Sequence, residues 1–271
     1  MKKIHYQREL VLPFAQQRGG QNTKKEVMKI QSWLCLYETS HSGSGTYTSI
    51  DGTFGPATER AVKNFQNAVG IPPTGIVDQA TFDKMTSSLC NAFEASLSGP
   101  DLRSLIAEAA EKHLAESPSE LVINGQTNSG PWVRSYMDGH EGTDWLWCMG
   151  FVQTIIDQAF SHLGRTFTEM FPLTYSCDVV GMTGLDKGVL VRNPNIRNGS
   201  ATIKKGDIFL LRQSRLDWIH TGIIVEIEDK TFTTIEGNTN INGSSNGIGV
   251  FKRVRNYNTS IIDVFSIEKW V

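Results

Sequence analysis

The feature that most constrains this chain is a change of hydrophobic period near residue 205. Before it, apolar residues recur at three- and four-residue spacing; after it, they alternate. The alternating part yields candidate strands at 207–212, 219–227, 231–236, 249–253 and 262–267. Helices followed by consecutive antiparallel strands predict an α+β fold, with helices packed on an antiparallel sheet. A length of 271 residues leaves room for two modest domains, each with its own core.

The first part of the chain reads as three short helices. One covers about 26–37, with Val27, Ile30, Leu34 and Tyr37 on one stripe. The second opens at Gly55-Pro56, where proline suits the first helical position, and buries Ala61, Val62 and Phe65. The third is capped by Asp78, with Val77 and Phe82 at the staple positions. This predicts a small three-helix bundle. The helical period fades after Ser87, and 96–100 reads as a linker. A further helix over about 101–116 places His113 on the apolar face, as a core histidine. A short helix runs through Tyr136, and another from Cys148 to about Leu163. The long segment 173–204, between that helix and the first main strand, is expected to border a cleft.

A formal net charge of -2, without a Lys/Arg block, gives no argument for nucleic acid or an anionic membrane. No stretch approaches the roughly 20 apolar residues that span a bilayer. Lys2 and Lys3 precede only a short apolar run at 10–12, bracketed by Glu9 and Pro13, so no cleaved export signal is expected. The four cysteines, Cys35, Cys90, Cys148 and Cys177, are widely spaced and lack CxxC, which speaks against a zinc site or a disulfide framework. No cofactor is expected.

A catalytic cysteine needs help to ionise. Cys148 opens a helix, where unpaired N–H groups and the helix dipole favour a thiolate. Of the six histidines, His162 shares its helical stripe, but lies about 21 Å away along a straight helix. Proton transfer requires about 3 Å or one bridging water. His220 begins an apolar strand followed by a turn near Asp229. A hairpin centred on Asp229 sets His220 opposite Asn238, and Gly222 opposite Glu236, on one face. A one-residue slip would turn these groups away. Either Glu236 or Asn238 could then orient the imidazole. Cys177, in the long segment 173–204, is read as a bystander. Trp145, Trp147 and Trp218 flank these positions, as a sugar-stacking wall or as core.

The segment Ile50-Asp51-Gly52-Thr53-Phe54-Gly55-Pro56-Ala57-Thr58, with Ala61-Val62-Lys63-Asn64-Phe65-Gln66 and Thr74-Gly75-Ile76-Val77-Asp78, resembles the peptidoglycan-binding-domain-1 family. The likeness implies a non-catalytic module that binds cell-wall peptide or glycan, with Asp51 and Phe54 at its binding loop. The stretch 38–49 is longer than is usual in that family. A second likeness joins Asn128-x-Gly130-Pro131, Trp147-Cys148-x-x-Phe151-Val152, Lys205-Gly206-Asp207-Ile208, His220-Thr221-Gly222-Ile223-Ile224 and Ile235-Glu236-Gly237-Asn238-Thr239. These resemble the cysteine- and histidine-dependent amidohydrolase/peptidase (CHAP) domains.

That resemblance implies a papain-like fold, Cys148 as nucleophile, His220 as base, and Glu236 and Asn238 as its support. The implied reaction cuts an amide of the peptidoglycan stem peptide, as an N-acetylmuramoyl-L-alanine amidase or an endopeptidase. Trp147 and Trp218 would flank the substrate. Some such domains hold calcium before the nucleophile; only Glu141 and Asp144 are available here, so no metal is expected. The implied organisation is an extension over 1–20, a peptidoglycan-binding module over 21–97 and a catalytic domain over 98–271. Peptidoglycan is the expected partner. Made in the cytoplasm, the chain would reach the wall by release, as a phage endolysin, or by delivery machinery, as an antibacterial effector met by an immunity protein. The competing reading is a non-catalytic wall-binding or phage-structural protein with a degenerate fold.

Overall fold

The computed structural model describes residues 1–228, 230–241 and 246–271. In chain order the first elements are helices α1 (Gln7–Leu10), α2 (Lys24–Ser40), α3 (Pro56–Ala68), α4 (Gln79–Met85), α5 (Ser87–Phe93) and α6 (Leu102–Ala115). Strands β1 (Leu121–Ile123) and β2 (Gln126–Ser129) follow, then α7 (Pro131–Tyr136), α8 (Cys148–His162) and α9 (Cys177–Asp186). Last come β3 (Leu190–Val191), α10 (Asn193–Arg197), β4 (Ile208–Ser214), β5 (Asp217–Ile227), β6 (Thr231–Thr239), β7 (Gly249–Asn256) and β8 (Ile262–Phe265). The change of period thus marks the passage from helices to the main strands.

The chain divides into two units, one of residues 5–91 and 119–143, the other of residues 1–4, 92–118 and 144–271. In the first, α2 packs against α3 and α4. Val27, Ile30, Leu34, Ala61, Val62, Phe65, Val77 and Phe82 form its buried centre. Burying each larger apolar side chain contributes about 1.5–3 kcal/mol, which offsets the weak intrinsic stability of such short helices. Asp78 caps α4 by accepting the Thr81 N–H at 2.8 Å. Gln16 and Val77 exchange backbone hydrogen bonds of 2.9 Å, tying the extension to the module. The β1–β2 hairpin turns at Asn124-Gly125, both with positive φ, the conformation that Asn-Gly turns favour.

The second unit is built on a six-stranded sheet in the order β3-β8-β4-β5-β6-β7, with every pair antiparallel. The helix α8 packs on β5 and β6, α9 packs on β5, and α6 packs against α8. Phe209, Ile224, Phe232, Ile262 and Val264 form a core cluster with Ile196 and Ile203. The α+β class and the antiparallel sheet are as the sequence leads one to expect.

One local expectation is corrected: the fading period after Ser87 still forms α5. The long segment 173–204 contains α9, β3 and α10. Gly181 and Gly184 weaken the helical signal of α9, because glycine costs about 1 kcal/mol in a helix interior. Packing explains Gly181: a Cβ there would lie 2.5 Å from the Trp218 ring. Among the described residues no helix is long and apolar enough to cross a membrane.

Candidate active site

Cys148 is the first residue of α8, directly after the N-cap position held by Trp147. The helix continues unbroken to His162, which therefore sits in the last turn, far from the cysteine. His220 comes from β5 and Glu236 from β6. Between these strands Ile223 pairs with Ile235 and Ile224 with Thr234, the register of a hairpin centred on 229. Asp229 itself lies outside the described residues. A bulge between Ile224 and Glu226 shifts the pairing by one, but only on the turn side. At the site end His220 and Glu236 meet, with Nε2 to Oε2 at 2.8 Å.

Glu236 has further partners. The Thr234 hydroxyl donates to Oε1 at 2.5 Å, and Arg255 donates through Nε to Oε1 at 2.7 Å and through its Nη2 to Oε2. Arg255 stands on β7, with its guanidinium 5.2 Å above the Phe209 ring. With Nε2 of His220 engaged, Nδ1 is the nitrogen left for the thiol; it is buried and has no hydrogen-bond partner among the described residues.

Asn238 is also fully buried, but neither atom of its side-chain amide has a partner among the described residues. Its φ of 54° falls in the left-handed region, which asparagine tolerates better than most residues. It stands where the β6–β7 pairing shifts between Glu236 and Thr239. Of the two candidate orienters, Glu236 therefore makes the contact with the imidazole.

Cys177, read from sequence as a bystander, stands beside the candidate nucleophile: its Sγ lies 4.0 Å from Sγ of Cys148. It is the first residue of α9, and both thiols are buried. A lone cysteine in a long segment carries no signal of such proximity. Arg255 was missed because the strand expected at 249–253 stops three residues short of the observed end at Asn256. In the sheet Arg255 pairs with Phe232 of β6.

The electrostatics follow from this arrangement. Hydrogen bonding from Cys177 draws the Cys148 thiol well below its ordinary range; burial opposes this, and His220 reinforces it. Cys177 is pushed correspondingly far up by the sulfur beside it and by burial. Burial alone would lower His220, but the Cys148 sulfur near its ring and the Glu236 carboxylate on Nε2 lift it to about 9. Burial likewise disfavours charge on Glu236, yet the bonds from His220 and Arg255 hold its carboxyl at about 2. The favoured state at neutral pH is a thiolate beside an imidazolium, backed by a carboxylate and a guanidinium.

The other sequence candidates are placed as follows. Trp147 is fully buried, near where a Cβ on Gly237 would lie. Trp218 is 3% exposed, and its indole N–H donates to Asp263 at 3.0 Å. In this conformation both are interior side chains rather than an open wall. Asp51 is exposed and shapes its own turn, accepting from the Thr53 N–H at 2.8 Å and from Gln31 at 2.9 Å. Phe54 is buried in the helical module. Glu141 is engaged by Arg134 and by the Gly130 N–H, each at 2.8 Å. Among the described residues, no group of three or more His, Cys, Asp or Glu side chains is arranged to hold a metal ion.

Residues 23–85 match the family described as "Putative peptidoglycan binding domain". The chain is also similar to the zinc D-Ala-D-Ala carboxypeptidase of Streptomyces albus G, at 49% identity over 52 residues. That similarity covers 19% of this chain and 20% of the relative, so the chain spans about a fifth of the length of the curated protein it matches. No solved structure matches the chain. The N-terminal part thus carries a peptidoglycan-binding domain.

Proposed function

We propose that this chain is a cell-wall hydrolase that cuts an amide bond of the peptidoglycan stem peptide through Cys148 and His220. The observation that carries the reading is the buried Cys148–His220–Glu236 series, with His220 Nε2 2.8 Å from the carboxylate, in a chain bearing a peptidoglycan-binding domain. In this reading the second unit is a CHAP-type domain of papain-like fold. The N-terminal domain raises the effective concentration of the catalyst on an insoluble polymer.

The proposed chemistry begins with the ion pair, in which His220 has already taken the thiol proton. The Cys148 thiolate attacks the amide carbonyl, and the unpaired first-turn N–H groups of α8 are the proposed donors to the negative charge that develops on oxygen. His220 then gives its proton to the leaving amine, which departs as the acyl-enzyme forms. Water attacks the thioester, His220 accepts its proton, and Cys148 is released as the thiolate. Glu236 holds the ring by Nε2 and stabilises its positive charge; Arg255 and Thr234 hold Glu236. Release as an endolysin and delivery as an effector both provide a route to the wall.

The test is digestion of purified sacculi from several wall chemotypes, with mass spectrometry of the released fragments. Wild type is expected to release peptides with a new amino terminus or free lactyl carboxylates, and Cys148→Ala is expected to release neither. Equal release by both proteins would refute the reading, as would no release from any wall. The new chain end also separates amidase from endopeptidase.

A further inference from the structure

We propose that Cys148 and Cys177 form a peroxide-oxidisable dithiol, with Cys177 as the resolving thiol that converts an oxidised nucleophile into a reversible disulfide. The inference rests on the nucleophile assignment above, but adds a modification site with its own chemistry. Three observations carry it. The two sulfurs are 4.0 Å apart, within the second unit. Both cysteines are free, so either sulfur can enter a disulfide. Each is the first residue of its helix, so its preceding neighbour is non-helical backbone rather than a further turn.

A disulfide requires the sulfurs at about 2.05 Å, so about 2 Å must be closed. Closing it requires rotation of the two side chains, with adjustment of the connection before α9. Cys35 is a contrast within the chain: its thiol donates to the Thr48 carbonyl at 3.1 Å, in the other unit.

The chemistry is ordered by which sulfur ionises first. A hydroperoxide, here hydrogen peroxide, is attacked by the Cys148 thiolate; an S–O bond forms and the O–O bond breaks. The departing hydroxide takes a proton from the His220 imidazolium and leaves as water, and Cys148 is now a sulfenic acid. The Cys177 sulfur then attacks the Cys148 sulfur. An S–S bond forms, the S–O bond breaks, and hydroxide leaves as a second water with the Cys177 proton. Two thiols have lost two protons and two electrons, and one peroxide has become two waters. Without Cys177 the sulfenic acid would persist and pass to the sulfinic acid, which thiols do not reduce.

The test uses the full-length protein, reduced and then exposed to graded hydrogen peroxide. Peptide mass spectrometry of the wild type is expected to give a Cys148–Cys177 cross-linked peptide, lighter by two hydrogens, that dithiothreitol removes. Sacculus hydrolysis should fall with the same dose dependence and return on reduction. In Cys177→Ser, normalised to its own untreated rate, recovery should be on the order of tenfold poorer, with dimedone trapping Cys148 as the sulfenic acid. The wild-type peptide map stands alone if that variant does not fold. Direct passage of wild-type Cys148 to the sulfinic acid, without the cross-link, overturns the proposal and leaves the hydrolase reading intact. Formation of the cross-link in a protein whose reduced form never cuts sacculi supports the dithiol and overturns the hydrolase reading.

Discussion

His113 and His220 lie in the same unit, both fully buried, and each holds a side-chain oxygen through Nε2. His113 reaches Gln158 at 2.9 Å, and His220 reaches Glu236 at 2.8 Å. Burial pushes His113 down to about 3, against only the modest lift of an amide oxygen. The same burial acts on His220, but a thiol on one side and a carboxylate on the other carry it up to about 9. Equal burial and nearly equal geometry therefore give opposite charge states. The charge of the partners decides which histidine is core and which can move a proton.

The largest effect expected from this contrast is on Cys148→Ala, which removes the sulfur and the partner of the imidazolium. Sacculus hydrolysis should fall on the order of 10⁴-fold or more, with folding preserved by circular dichroism. Next comes Glu236→Gln, which makes the His220 site chemically like that of His113. The His220 pKa should fall toward or below the ordinary histidine range by NMR, and hydrolysis should drop about 10²–10⁴-fold. The same change leaves Arg255 buried beside an amide, so stability should fall by about 3–5 kcal/mol in denaturant unfolding. A His220 that kept its raised pKa in this variant would break the comparison.

The pH profile is the next test, and its sign follows from the two shifted groups. His220 is raised, so its contribution is complete below the ordinary value of 6.5 and is lost as pH climbs through about 9. Glu236 is lowered, so its contribution is complete above 4.5 and is lost only as pH falls through about 2. Hydrolysis should therefore hold a plateau through neutral pH and decline on the alkaline side near 9, where the acid for the leaving amine is gone. A steady rise through pH 9 would contradict the ion pair.

The smallest effects belong to the other histidine. Gln158→Glu should raise the His113 pKa by NMR while leaving hydrolysis within a few-fold. It should cost about 1–3 kcal/mol, because Gln158 also donates to the Ala92 and Phe93 carbonyls. His113→Phe should change hydrolysis least, and a large loss would sharpen the comparison into a coupling between α6 and α8.

What could be read from sequence divides along the same line as local and long-range structure. The stripe of Val27, Ile30 and Leu34, the Asp78 cap and the alternation of β5 are local, and the helices and strands followed. Hairpin register is nearly local, which is why Ile223 pairs with Ile235 as expected. The contact of Cys177 with Cys148 depends on how α9 packs, and α9 was obscured by Gly181, whose role is to admit the Trp218 ring. Arg255 joins the site from a strand two steps from β5 in the sheet, so no spacing in the sequence announces it. The Asn124-Gly125 turn, by contrast, is legible from its two residue types alone.

A resting Cys148 thiolate, drawn down first by the Cys177 thiol beside it and then by His220, is what sets this site apart from His113. Its most direct test is the thiolate absorbance near 240 nm, titrated from acid to alkaline pH in wild type and corrected with Cys148→Ala. The Cys148 signal should be present well below the ordinary thiol pKa of about 8.5 and should shift upward in His220→Ala. A wild-type signal that emerges only near that ordinary value, unchanged by removal of His220, would contradict it.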